Sequence, residues 1–173
     1  MSRRHILLVG LPGSGKSTVG RLVAEQLAAP LIDVDNLLVR QMGMPVAQIF
    51  GKVGEAEFRR MERDAVRAAC AAGPGVIVPG GGWAVQEGEL ELARETSCIV
   101  YLRCQPSTAV KRVEEGEARP LLTSDPLGRM RTLLQEREGW YTQADHKLST
   151  DGRTAEQTAG EVVQIAQSSA GWL

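Results

Sequence analysis

Apolar positions along this chain follow two alternating patterns. Short unbroken runs, "ILLV" at residues 6–9, "GVIV" before Pro79 and "CIVYLRC" at 98–104, suit strands covered on both faces of a parallel sheet. Between them, apolar residues recur at helical spacing. Val19, Leu22, Val23 and Leu27 share one face of a helix opening at Ser17, and a long helical pattern runs from Val46 to a stop at Gly73, with Pro74 just beyond. "PLIDVD" predicts a second strand running into a helix begun by "NLLVRQM". "QEGELELARET", "PSTAVKRVEE", "RMRTLLQEREGWYTQA" and "TAEQTAGEVVQIAQ" predict further helices, and "HKLST" a last strand. "GEARPLLTSDPLG" breaks the pattern and reads as a mobile surface loop, and "SSAGWL" reads as a frayed tail. Strands alternating with helices predict one α/β domain over 1–173, built on a mostly parallel sheet of about five strands.

Composition narrows the function classes. Hydrophobic residues at 43% and charged residues at 24% are ordinary for a folded globular chain, which argues against disorder. Twenty Lys and Arg against 21 Asp and Glu leave a net charge of -1, so no global field draws in nucleic acid or an anionic membrane, and anion binding must be local. No apolar stretch approaches the roughly 20 residues a membrane span needs. The apolar run near the amino terminus is shorter than the ~7 to 15 residues of a secretory signal, so a cytoplasmic location is expected. Cys70, Cys98 and Cys104 are odd in number and lack C-x-x-C spacing, which predicts reduced, mostly buried thiols. A monomer is the simplest expectation.

"GLPGSGKST", Gly10 to Thr18, holds the pattern G-x-x-x-x-G-K-[ST] between a predicted strand and a predicted helix, the context that marks a P-loop. Gly13 and Gly15 let backbone N–H groups turn inward to ring a phosphate at the positive end of the helix. Lys16 reaches the β- and γ-phosphates, and Ser17 offers its hydroxyl to Mg²⁺. The expected nucleotide site is Gly13, Ser14, Gly15, Lys16, Ser17 and Thr18, with ATP as co-substrate. The N-K-x-D signature of GTPases does not occur in these residues and no appended domain is expected, and the arginine-bearing irregular loop favours a kinase that excludes water over a nucleotide switch.

Four features suit a small acceptor. Asp33 and Asp35 in "DVD" lie two apart at a strand end and point to one side by strand periodicity. Asp33 suits a water-mediated Mg²⁺ contact and Asp35 a substrate hydroxyl, although Asp35 also reads as a helix N-cap. Arg59 in "GEAEFRRMERD" has Glu55 and Glu62 at helical spacing, which by itself describes an exposed helix with ion pairs of roughly 0.2 to 0.5 kcal/mol each. In "VPGGGWAV", three consecutive glycines close a strand and leave backbone bare for a carboxylate or ring face. Arg119 in "ARPLL" and Arg137 in "QERE" supply further guanidinium groups.

Together these residues, in this order, resemble the shikimate kinase family. The resemblance runs from "ILLVGLPGSGKSTVGRLVA" through "DVD", "IFGKVGEAEFRRME", "GGG", "RPLL" and "LLQERxxxY" to the last helix, and the middle motifs are the specific ones. It implies a P-loop fold of the nucleoside monophosphate kinase group, with a five-stranded parallel sheet flanked by helices, an acceptor-binding segment about 35–62 and a lid about 114–127. The implied activity is transfer of the ATP γ-phosphate to the 3-hydroxyl of shikimate. By the same resemblance Asp35 holds the acceptor's hydroxyls and serves as a base, and Arg59 and Arg137 bind its carboxylate. Gly80, Gly81 and Gly82 meet the acceptor through backbone, Arg119 closes on the phosphates, and Arg112 and Arg153 lie near adenine. Phe50 and Phe58 line the acceptor pocket. The chain departs from the family pattern where Pro79 precedes the triplet and Trp83 follows it. Trp83 is expected either to pack outward as a tolerated bulge or to narrow the acceptor site. Outside this family, the remaining readings are a kinase for another small hydroxylated carboxylate and a non-catalytic nucleotide-binding module.

Overall fold

A computed structural model describes residues 2–116 and 123–173. In chain order the elements are β1 (His5–Val9), α1 (Lys16–Leu27), β2 (Leu31–Asp33), α2 (Val34–Met42), α3 (Val46–Val53), α4 (Glu55–Ala71) and β3 (Val76–Val78). They continue with α5 (Glu89–Arg94), β4 (Ser97–Arg103), α6 (Pro106–Glu114), α7 (Pro126–Tyr141), β5 (His146–Ser149) and α8 (Ala155–Ser169). The strands form one parallel sheet in the order β2-β3-β1-β4-β5. Chain order reverses at β1, which lies between β3 and β4, and the carboxyl ends there are where such sheets bind ligands.

The unbroken apolar runs are explained by the two layers they separate. In β1, Ile6 and Leu8 face α1 and α8 and pack with Val19, Val23, Val162 and Ala166. Leu7 and Val9 face the opposite layer and pack with Leu38, Ile49, Phe58 and Tyr141. Successive side chains of a strand point to opposite faces, so both must be apolar when both are covered.

Three local expectations are corrected. The helical pattern from Val46 is broken in two at Gly54, which has φ +82° and separates α3 from α4, and α4 stops at Ala71. A glycine at positive φ ends the first helix more strongly than the shared apolar spacing continues it. In "DVD" the strand ends at Asp33 and α2 begins at Val34, so strand periodicity is not what relates Asp33 to Asp35. The cap of α2 is Asp33, whose Oδ1 accepts from Asn36 N at 3.2 Å, and Asp35 lies in the first helical turn. Lastly, the carboxyl-terminal segment is docked. Trp172 Nε1 donates to Arg4 O at 2.9 Å, Arg4 N donates to Ala170 O at 2.9 Å, and the Arg3 guanidinium stands 5.1 Å from the Trp172 ring. An indole that buries its face and satisfies its N–H outweighs the fraying that small polar neighbours suggested.

Candidate active site

The P-loop joins the carboxyl end of β1 to α1. Gly15 caps α1 in a left-handed conformation, with no side-chain cap and no acidic residue in the first turn. The orphan N–H groups of that turn are therefore kept for an anion, with the helix dipole behind them. Gly13, at φ +79°, also leaves no space for a Cβ, which would collide with the Ala109 carbonyl of α6. Lys16 Nζ donates to Gly10 O at 2.6 Å and Leu11 O at 2.8 Å, bending the side chain over the loop. Ser14 is buried and its N–H donates to Leu11 O at 3.1 Å.

One cavity is lined by Gly13, Gly15, Lys16, Ser17, Thr18, Asp33, Asp35, Gly80 and Gly81. Ser17, Asp33 and Asp35 thus face common space despite the failed periodicity argument. A second cavity of about 240 Å³ shares Gly15 and Thr18 with it and adds Ser14, Arg112, Arg153, Thr154 and Ala155. Arg112 is fixed there: NH1 donates to Ser14 O at 3.1 Å and Thr150 Oγ1 at 3.0 Å, and NH2 to Thr150 O at 2.9 Å. It ties α6 to the P-loop and to the end of β5. Arg153 pairs with Glu161 of α8 at the rim.

The glycine triplet needs small residues for reasons of space. A Cβ on Gly80 would stand 2.5 Å from Glu62 Oε2 and 3.2 Å from Asp35 Oδ1. On Gly81 it would lie 2.9 Å from Arg137 NH1, and on Gly82 2.6 Å from Arg59 NH2. Each glycine therefore admits a different polar side chain, and the backbone becomes the floor on which Asp35, Glu62, Arg59 and Arg137 meet. Asp35 Oδ1 and Arg137 NH1 are buried with no hydrogen-bond partner among the described residues, a cost normally met by a ligand or water.

Arg59 and the Gly81 backbone are held from behind. Arg59 lies 5.5 Å from the Phe50 ring and 5.6 Å from the Phe58 ring, which stack with centroids 4.3 Å apart. These aromatic residues support the guanidinium as well as filling the core. Tyr141 OH donates to Gly81 O at 2.7 Å; burial pushes its pKa up, opposed by the nearby Arg137 and Arg59. The hydroxyl thus remains a donor at neutral pH.

A protein-family model for shikimate kinase matches residues 12–167. The chain belongs to the shikimate kinase family. The shikimate kinase of Moorella thermoacetica is 37% identical over 169 residues, covering 98% of this chain and 96% of that protein. That of Symbiobacterium thermophilum is 41% identical over 167 residues, covering 94% of this chain and 96% of that protein. Among solved structures, the shikimate kinase of Acinetobacter baumannii in complex with shikimate superposes with a TM-score of 0.89 at 30% identity, covering 96% of this chain and 94% of that one. The five-stranded parallel sheet flanked by helices is the fold expected of a shikimate kinase, an ATP-dependent phosphotransferase.

Within the shikimate kinase frame, the site residues expected from sequence fall into two groups, apart from one. Gly13, Gly15, Lys16, Ser17, Thr18, Asp33 and Asp35 line the first cavity with Gly80 and Gly81, while Arg137 stands against Gly81 and Arg59 against Gly82. Ser14, Arg112 and Arg153 line the second cavity. Arg119 and the centre of the expected lid lie outside the described residues. Sequence reasoning missed Glu62, Tyr141 and Thr150 as members. Glu62 was visible only as an ion-pair partner of Arg59, and its complete burial, which changes its meaning, has no signature in that spacing. Trp83 follows neither expected course: it is fully buried in the core with Val66, Leu90 and Ala93 and lines neither of the two cavities.

Proposed function

We propose that this shikimate kinase transfers the γ-phosphate of ATP to the 3-hydroxyl of shikimate, giving shikimate 3-phosphate and ADP. The observation that carries this reading is the convergence of Asp35, Arg59 and Arg137 on the glycine triplet, beside the P-loop. Two guanidinium groups against a backbone floor suit a carboxylate, and a carboxylate facing the phosphate cavity suits a hydroxyl.

The phosphates take the N–H groups of the first turn of α1, with Lys16 released from its carbonyl partners toward the γ-phosphate. Arg112, Thr154 and Arg153 frame the cavity assigned to adenosine. Ser17 and Asp33 would hold Mg²⁺: both line the first cavity, and Asp33 keeps Oδ2 beside the Oδ1 that caps α2. When bound, that ion neutralises charge on the β- and γ-oxygens. Arg59 and Arg137 grip the acceptor carboxylate and so set the ring's direction. Asp35 accepts a hydrogen bond from the reacting hydroxyl, orients it for in-line attack and takes its proton. Arg119, by its place in "RPLL", adds positive charge at the transferring group. The acceptor-binding segment is assigned to about 35–62 and the lid to about 114–127 of a single domain. We place the enzyme in the cytoplasm as a monomer, without nucleic-acid or membrane partners; elution at the mass of one chain checks the oligomeric state.

ADP release with Mg²⁺ and ATP, measured with shikimate, quinate, gluconate or no acceptor, tests the reading. Strong dependence on shikimate is expected. Equal turnover with another hydroxylated carboxylate, or none with any acceptor, contradicts it.

A further inference from the structure

Gln86 has no part in the mechanism above, yet its side chain completes the support of Arg59. Gln86 Nε2 donates to Glu62 Oε1 at 2.9 Å, the same oxygen that Arg59 NH1 reaches at 3.1 Å. On its other arm Gln86 Oε1 accepts from Arg63 NH1 at 2.6 Å. A primary amide carries its donor and acceptor on opposite arms, so pairing the oxygen with Arg63 turns the nitrogen toward the carboxylate. Arg63 lies one helical turn beyond Arg59 on α4. The chain of contacts therefore leaves α4, passes through a different segment and returns to the residue that meets the acceptor.

That segment is firmly seated. Trp83 N donates to Gly80 O at 3.1 Å, Gln86 N to Trp83 O at 3.1 Å, and Glu89 N to Gln86 O at 3.2 Å, so the backbone winds through successive turns directly from the triplet. The Trp83 indole anchors those turns in the core. The departure from the family pattern at Trp83 thus belongs to the same segment that delivers Gln86. A donor from another segment restrains a buried carboxylate in a direction that its own helix does not.

We propose that Gln86 is a positioning residue for the acceptor's carboxylate: through Glu62 it holds the Arg59 guanidinium in the orientation for which Gly82 leaves room. The inference rests on the shikimate kinase reading above and adds a determinant of acceptor affinity that never touches the acceptor.

Gln86→Met keeps side-chain length and removes both hydrogen bonds. The KM for shikimate rises roughly 5- to 30-fold, less than the roughly 10- to 150-fold of a directly lost hydrogen bond to a charged group because Gln86 acts through Glu62, while kcat and the KM for ATP stay within about twofold. Because the defect lies at the carboxylate end, the preference for shikimate over its methyl ester in kcat/KM falls as well. A purely structural role would lower thermal stability without moving that ratio. Arg63→Met shifts the same ratio in the same direction by a smaller factor, and it carries the test if Gln86→Met does not fold. An unchanged shikimate KM, a parallel rise in both KM values, or an unchanged ester ratio overturns the proposal. Absence of shikimate turnover by the unmodified enzyme would instead overturn the reading beneath it.

Discussion

Arg59 NH1 donates to Glu62 Oε1 across 3.1 Å, and the carboxylate that receives it is completely buried. On an exposed helix this i, i+3 pair would contribute a few tenths of a kcal/mol. Buried beside Gly80 and Gly82, it instead fixes an arginine side chain that is only 18% exposed against the glycine floor. Removing one partner of a buried pair strands the other charge, so Arg59 and Glu62 depend on each other.

Arg59→Ala and Arg137→Ala each raise the KM for shikimate by roughly 10- to 100-fold, the range expected for lost charge-assisted hydrogen bonds. ATP binding changes little, because neither residue borders the cavity containing Arg112. Steady-state kinetics with each substrate varied in turn, together with ATP titration by calorimetry, checks the split. A matching loss of ATP affinity contradicts the assignment.

Gly82→Ala tests whether the triplet exists for space. The added methyl would meet Arg59 NH2 at 2.6 Å, the far end of a flexible side chain. The arginine yields and the fold remains. Thermal unfolding is expected to move by only a few degrees, while the shikimate KM rises about tenfold, near 1.4 kcal/mol. A variant that loses its fold but, where folded, binds normally would show that the glycine serves the backbone alone.

Trp83→Ala destabilises the protein by about 3 to 5 kcal/mol, as expected when a buried aromatic is cut to a methyl group. Trp83→Phe costs less, since the indole Nε1 has no hydrogen-bond partner among the described residues and none is lost. Neither change alters the ranking of shikimate, quinate and gluconate as acceptors. Denaturant unfolding measures the first claim and the acceptor panel the second; a reversed ranking in Trp83→Phe contradicts the placement of the ring.

Cysteine reactivity separates along burial. Burial pushes the Cys98 thiol up and the Cys104 thiol up to about 11, whereas Cys70 is partly exposed. A raised pKa means less thiolate at pH 8, and thiolate is the reactive form. A disulfide-exchange reagent at that pH modifies Cys70 first in the native protein and reaches Cys98 and Cys104 only on unfolding. Peptide mapping identifies the modified residue, and fast native labelling of Cys104 contradicts the prediction.

Much of this was legible from the sequence, for identifiable reasons. The P-loop could be read because its chemistry is local: two glycines, Lys16 and Ser17 act within a few residues of one another. The sheet was legible because strands covered on both faces cannot hide their apolar runs. The break at Gly54 was obscured because residues on both sides share one helical face. The relation of Asp33 to Asp35 was misassigned because a strand three residues long gives way to helix between them. Glu62 was legible only as an ion-pair partner of Arg59 and Gln86 not at all, since their roles depend on burial and on a contact across 24 residues.

The most direct measurement is ³¹P NMR of the products formed from ATP and shikimate. The account predicts that ADP appears together with one phosphate monoester whose phosphorus couples to the proton on carbon 3 of the ring. Inorganic phosphate growing with ADP and no monoester, or a monoester on another hydroxyl, would contradict it.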